Sequence, residues 1–166
     1  GDHRTKGVQH GEKVKDIRPY LLTAMKNRLA SLEAYGWDFR PYEAKLLTVW
    51  EQHAQSTLEM LRGMACALEL DWDPFFRYTI ASYLDECFHR HEPGQGCTCW
   101  AAGPEVVWGG QPMLAKNRDY RPDHQHLQCL ARARPAEGFP YLYVTSAGSP
   151  AVFSSGMNSA GLAVVA

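Results

Sequence analysis

The sequence lacks the features that mark membrane, fibrous and nucleic-acid-binding proteins. None of its apolar runs approaches the ~20 residues that a membrane-spanning helix needs, and it contains no internal repeat and no low-complexity tract. Its formal net charge of -1 does not indicate an electrostatic affinity for nucleic acid or for an anionic membrane surface. The 166 residues, 45% hydrophobic and 21% charged, are typical of one globular domain with a buried core.

Two further features are missing: an even set of cysteines and a secretory signal. The five cysteines are Cys66, Cys87, Cys97, Cys99 and Cys129. An odd number argues against a disulfide framework, and residues 1–15 are polar and of mixed charge, unlike a signal peptide. We therefore expect a protein of a reducing compartment, the cytoplasm, with no membrane partner.

The hydrophobic pattern changes close to residue 96. Residues 8–87 carry apolar side chains at three- and four-residue steps, which predicts helices, with a kink or a break near Pro19. Beyond residue 96, short aromatic and aliphatic runs alternate with turns and predict strands at 105–108, 113–116, 126–132, 141–145, 151–153 and 162–166. Helices followed by consecutive strands predict an α+β fold with an antiparallel sheet. We expect residues 1–96 to form a helix-rich segment and residues 97–166 the first strands of a larger, truncated catalytic core.

Three short motifs lie at or beyond this change of pattern. Residues 96–100 (GCTCW) stand at the change itself, residues 117–119 (NRD) follow a predicted strand, and residues 155–164 (SGMNSAGLAV) contain a G-x-N-x-x-G-L turn. Together they resemble the acyl-CoA:6-aminopenicillanate acyltransferase (isopenicillin N acyltransferase) family, and more distantly the bile salt and penicillin V amidases. These are N-terminal-nucleophile (Ntn) enzymes, in which self-cleavage exposes a cysteine as a new N-terminus.

The resemblance implies an Ntn-hydrolase αββα sandwich and self-cleavage between Gly96 and Cys97. The Cys97 thiol is then the nucleophile, Asp119 holds the amino group of Cys97, and Asn117 of the same motif completes the set of catalytic candidates. The implied activity is that of an acyltransferase or amide hydrolase acting on a small N-acyl amide or on acyl-CoA, with no metal and no organic cofactor. By its spacing in the family, the oxyanion-hole asparagine falls just past Ala166.

Elementary chemistry agrees with these roles. The thiolate is the reactive form of cysteine and a good nucleophile once a base is near. Gly96 has no side chain to hinder attack on its carbonyl carbon, and glycine tolerates the strained backbone that such an attack requires. Asn117 and Asp119 are two residues apart, so their side chains would point to the same face of a strand.

Two hypotheses from other classes remain open. Cys87, His89, His91, Cys97 and Cys99 fall within thirteen residues, and Cys and His are the usual zinc ligands. Their C-x-H-x-H and C-x-C spacings differ from the C-x2-C pairs of common structural zinc modules. The alternative to an enzyme is therefore a non-enzymatic metal-binding domain or a scaffold domain.

Three glycine-containing segments are interpreted as structural. Residues 7–11 (GVQHG) resemble the start of the family's first helix, and we interpret them as an ordinary capped helix start. Residues 61–65 (LRGMA) resemble another helical segment of the family, whose glycine permits close packing of helices. Residues 156–162 (GMNSAGL) predict a hairpin in which Asn158 and Gly161 supply left-handed backbone angles.

Overall fold

A computed structural model of the chain describes residues 2–86, 97–119, 121–149 and 155–165. The chain divides into two compact units: Gly1–Glu92 with Ala147–Pro150, and Pro93–Ser146 with Ala151–Ala166. The first unit is helical and the second is built of antiparallel strands, so the predicted α+β class and the order of helices before strands are confirmed. None of the helices in the described ranges is both long and apolar enough to cross a membrane.

The described part of the helical unit contains five α-helices. These are α1 (His3–Lys13), α2 (Arg18–Glu33), α3 (Arg40–His53), α4 (Gln55–Ala67) and α5 (Trp72–Glu86). Asp2 caps α1, because its Oδ1 accepts a hydrogen bond from the backbone N–H of Thr5 at 2.6 Å. Pro19 lies in the first turn of α2. Backbone N–H groups in this turn have no acceptor within the helix, so proline, which lacks the N–H, loses no hydrogen bond there. The break predicted near Pro19 is thus the start of α2, preceded by the short 3₁₀ turn Lys15–Ile17.

A cluster of buried apolar side chains from α2, α4 and α5 forms the core of this unit. Its fully buried members include Leu32, Leu58, Ile80 and Leu84. Phe76 lies at its centre, with the Trp50 ring edge-on at 5.8 Å and the Trp72 ring stacked at 5.5 Å between centroids. Phe76, Ile80 and Leu84 follow one another at four-residue steps and form the buried face of α5, in agreement with the apolar periodicity of residues 8–87.

Helices α1 and α4 pack with their backbones in contact, and glycines make this possible. A Cβ added to Gly7 would lie 1.9 Å from the Met60 carbonyl oxygen, and one added to Gly63 would lie 2.2 Å from the Arg4 carbonyl oxygen. The prediction that Gly63 permits close helix packing is confirmed. The interpretation of residues 7–11 as a helix start is wrong, because α1 begins at His3 and its glycines face α4.

The described part of the second unit contains two antiparallel sheets. Strands β1 (Thr98–Ala102) and β2 (Met113–Asn117) form a pair, and β3 (Gln128–Ala133), β4 (Tyr141–Ser146), β5 (Ser155–Asn158) and β6 (Ala163–Val165) form a four-stranded sheet in that order. A 3₁₀ helix, Pro122–Leu127, precedes β3. Strand β2 also runs close to β6, so the two sheets are neighbours within this unit.

Most of the predicted strands are present, and one is wrong. The predictions at 113–116, 126–132, 141–145 and 162–166 correspond to β2, β3, β4 and β6. Residues 105–108 instead form consecutive turns, in which the Val106 N–H donates to the Gly103 carbonyl and the Gly110 N–H donates to the Val107 carbonyl. The prediction at 151–153 lies outside the described residues. Strand β5 was not predicted, because its sequence was interpreted only as part of a turn.

Candidate functional site

The three catalytic candidates lie at one end of the β1–β2 pair. The antiparallel register places Thr98 opposite Asn117, and directly opposed residues have Cα atoms about 4.5–5.5 Å apart. Cys97 immediately precedes Thr98, and Asp119 follows Asn117 by two residues. Both segments therefore leave the ladder at the same end, next to the Thr98–Asn117 pair.

The register also assigns the side chains of this sheet to its two faces. Cys99 is opposite Lys116 on one face, and Thr98 is opposite Asn117 on the other. Cys97 and Asp119 lie just outside the paired residues, beside this end of the ladder.

The site is open to solvent. Cys97, Asn117 and Asp119 are all exposed, and Arg118 between the last two is half-buried. The side chain of Trp100, on the same strand as the nucleophile candidate, is 51% exposed. The Cys97 thiol and the Asp119 carboxylate are therefore both accessible to a substrate, and the Trp100 ring adds an exposed apolar surface to the same strand pair.

The other thiols differ in their surroundings. Cys66 is exposed on the helical unit, and Cys129 on β3 is half-buried. Burial raises the pKa of the Cys129 thiol, which keeps it protonated at neutral pH and lowers its reactivity. Cys97 and Cys99 are therefore the more accessible thiols of the strand unit.

Only two of the five candidate zinc ligands, Cys97 and Cys99, lie within the described residues. Cys87, His89 and His91 lie outside the described residues, as does Gly96 of the proposed cleavage site. Cys97 and Cys99 are free, exposed thiols. Within the described ranges, no group of three or more His, Cys, Asp and Glu side chains is arranged to hold a metal ion.

The G-x-N-x-x-G-L segment forms the hairpin between β5 and β6, as predicted. The Asn158 Oδ1 accepts hydrogen bonds from the backbone N–H groups of Ala160 at 3.1 Å and Leu162 at 3.0 Å. Gly161 has a φ of 88°, whereas Asn158 is not among the residues with positive φ. Asn158 thus shapes the turn through its side chain, as Asn does in Asx turns, and the expected left-handed angle at Asn158 is wrong.

A half-buried histidine that sequence reasoning did not select lies in the helical unit. The Gly148 N–H donates to the His10 Nε2 at 3.1 Å. Burial lowers the pKa of His10, which favours the neutral ring that can accept this bond. The partners are 138 positions apart in sequence, so no local pattern could have paired them.

No protein-family model matches the chain, and no curated protein is significantly similar to it. The resemblance to the Ntn enzymes therefore depends on the sequence motifs alone.

Proposed function

We propose that this protein is an autoproteolytic Ntn-type cysteine acyltransferase or amide hydrolase that works through a Cys97 thioester. The β1–β2 register carries the proposal: with Thr98 opposite Asn117, the nucleophile and the N-x-D motif meet at one end of a sheet. Helices followed by an antiparallel sheet are compatible with part of an αββα sandwich, which is the fold proposed for the complete catalytic domain.

Self-cleavage would create the catalytic group. The Cys97 sulfur attacks the carbonyl carbon of Gly96, the Gly96–Cys97 C–N bond breaks, and the nitrogen takes up the thiol proton. Water then hydrolyses the resulting thioester. The products are a carboxylate at Gly96 and a Cys97 that carries both a free thiol and a free α-amino group. A cysteine next to its own amine needs no other side chain as base.

The same atoms then act on the substrate. The α-amino group accepts the thiol proton, the thiolate attacks the acyl carbonyl, and the amine or CoA leaving group departs with a proton. Backbone N–H groups and, as the resemblance implies, a side chain past Ala166 hold the oxyanion. Water or an amine finally attacks the thioester, and this choice of acceptor separates a hydrolase from an acyltransferase. The proposed cycle uses no metal and no organic cofactor, with acyl-CoA as one possible substrate.

Asp119 is proposed to hold the α-amino group of Cys97. That nitrogen belongs to the backbone and lies between the two faces of the sheet, whereas side chains stand on one face or the other. We expect the Asp119 carboxylate to lie within about 4 Å of the Cys97 nitrogen in the processed enzyme, and somewhat farther from it before cleavage.

Mass spectrometry of the purified full-length protein tests the self-cleavage. We expect the wild type to yield two pieces that end at Gly96 and begin at Cys97. Cys97→Ala should stay as one chain, and Cys97→Ser should cleave slowly because a hydroxyl is the weaker nucleophile at neutral pH. Cys99→Ala, which removes the neighbouring exposed thiol, is the matched control and should cleave normally. A wild-type protein that is active while still uncut would refute the proposal.

Labelling with an activated acyl donor tests the thioester separately. The processed protein should gain the mass of one acyl group on Cys97, released by hydroxylamine as expected for a thioester. Cys129→Ala should label as well as the wild type. Acylation of Cys99 or Cys129 with Cys97 unmodified would rule out Cys97 as the nucleophile.

A further inference from the structure

We propose that Ala147–Ser149 is a clasp that keeps the two cleavage products together. This inference depends on the proposed self-cleavage, since only then do the partners belong to separate chains. The segment lies beyond Cys97 in sequence and directly follows β4, yet it belongs to the helical unit and not to the strand unit. It is the described part of the second product that folds with the first.

The clasp is buried in the helical unit. The Ala147 side chain is 1% exposed, and Gly148 is buried. A Cβ added to Gly148 would lie 3.1 Å from the Leu21 Cδ2 and 3.3 Å from the Phe75 Cε2, and both of these side chains are fully buried. The Gly148 backbone therefore packs directly against side chains of α2 and α5, and a Cβ at this position would require them to shift by a few tenths of an ångström.

A polar contact adds to this packing. The Gly148 N–H donates to the His10 Nε2 at 3.1 Å, so the buried amide has an acceptor supplied by α1. Gly148 has a φ of 77°, a conformation that L side chains rarely adopt. The backbone angle at Gly148 thus favours glycine, and the tight packing on Leu21 adds to this preference.

Cleavage before Cys97 would distribute these partners between two chains. The first product would carry His10, Leu21 and Phe75, and the second would carry Ala147 and Gly148. A buried N–H without an acceptor costs more free energy than a typical hydrogen bond contributes to stability. We therefore expect the affinity between the products to depend strongly on His10 and Gly148.

The experiment separates this proposal from the self-cleavage. In a Cys97→Ala background, which cannot cut itself, a recognition sequence for a specific protease is inserted between Glu86 and Cys97. The folded full chain is cut with that protease, and the dissociation constant of the two pieces is measured by dilution and size-exclusion chromatography. At neutral pH the pieces should remain associated. If they separate freely, the clasp is refuted, whatever the outcome for self-cleavage.

Two matched pairs of variants test the residues. Gly148→Ala should weaken association about 10-fold or more, whereas Gly138→Ala should have little effect. Gly138 has a similar φ of 89° but no atom near an added Cβ, so it controls for backbone strain alone. His10→Leu removes the acceptor and should also weaken association about 10-fold, while His10→Gln can still accept and should weaken it less.

Circular dichroism of each uncut chain shows whether the variant folds. If Gly148→Ala does not fold uncut, the comparison of His10→Leu with His10→Gln decides. Equal affinities for wild type, Gly148→Ala and His10→Leu would overturn the proposal. Normal self-cleavage of the wild type together with that result would leave the proposed function intact.

Discussion

The carboxylate of Asp119 is the side chain on which the proposed chemistry depends most, after the Cys97 thiol. Asp119→Asn preserves the shape of the side chain and removes its charge, so the Cys97 amine loses the group that orients it. We expect activity to fall about 10²-fold or more with no change in folding. Steady-state kinetics on an N-acyl amide and circular dichroism measure the two effects.

Glu137→Gln is the control for this change, since Glu137 is also exposed and belongs to the strand unit. It removes the same charge between β3 and β4 and should leave activity unchanged. If both variants lose activity equally, the loss reflects net charge or folding and the role of Asp119 is wrong.

The half-buried His10 predicts a pH dependence of stability. Burial lowers its pKa below the ordinary value of 6.5. As the pH falls below 6.5, the unfolded chain takes up a proton at His10 and the folded chain resists it. The unfolded state then binds more protons, so the free energy of unfolding decreases with falling pH, at most by about 1.4 kcal/mol per pH unit for one group. Above 6.5 this group contributes no pH dependence.

Urea unfolding of the wild type and His10→Gln at about pH 7.5, 6.5 and 5.5 measures this dependence. Glutamine accepts a hydrogen bond but does not titrate, so its curve should be flatter below 6.5. Parallel curves for the two proteins would show that His10 does not titrate differently on folding.

Local sequence could reveal some of these residues and not others. Asn117 and Asp119 stand out because their spacing and the strand before them are visible within a few positions. His10 and Gly148 do not, because their hydrogen bond joins residues 138 positions apart. Asn158 was assigned to the correct turn, but whether an Asn acts through its side chain or its backbone angle depends on geometry that its neighbours do not specify.

The packing of α1 on α4 depends on glycine more strictly than any other contact between described helices. In a solvated helix Gly→Ala stabilises by about 1 kcal/mol, but a Cβ on Gly63 would lie 2.2 Å from the Arg4 carbonyl oxygen. The two backbones would have to separate. We therefore expect Gly63→Ala to lower the free energy of unfolding by about 2 kcal/mol or more, as measured by urea denaturation.

Gln9→Ala is the matched control, because Gln9 is exposed on α1. It also gains helix propensity but adds nothing between the helices, so its stability should be equal to or slightly above that of the wild type. An unchanged stability for Gly63→Ala would contradict the close packing.

Elements with a strong repeating pattern were predictable. One-sided burial leaves a regular spacing of apolar residues in the sequence. This spacing is visible in α2 and α5, and as apolar runs in β2 and β4. The run 105–108 is equally apolar, yet the Trp108 side chain is fully exposed and two glycines with positive φ follow it. Propensity favoured a strand, and the turn chemistry of Gly109 and Gly110 prevented one.

For the chain as a whole, the change of pattern at residue 96 was enough to predict α+β architecture. It was not enough to predict which strands are neighbours. The order β3-β4-β5-β6 follows the sequence, whereas the proximity of β2 to β6 joins segments that no short turn connects. The same limit applies to residues 147–150, which follow a strand in sequence but belong to the helical unit.

One face of the four-stranded sheet predicts how the chain behaves in solution. Leu130, Leu142 and Met157 point to that face in the register of β3, β4 and β5, and their side chains are 70%, 40% and 54% exposed. The sequence pI is about 6.7, so there is little electrostatic repulsion between copies at neutral pH. An exposed apolar sheet face without repulsion favours self-association.

Sedimentation velocity at neutral pH over a range of protein concentrations tests this expectation. Leu130→Glu combined with Met157→Glu places charge on the sheet face at positions that are not directly opposed, so it should reduce self-association without opposing like charges. Leu22→Glu combined with Val49→Glu is the control, since it adds the same charge to exposed helical positions. If net charge alone governs association, both pairs will reduce it equally. If the first pair reduces self-association more than the second pair, the sheet face itself is the interface between copies of the chain.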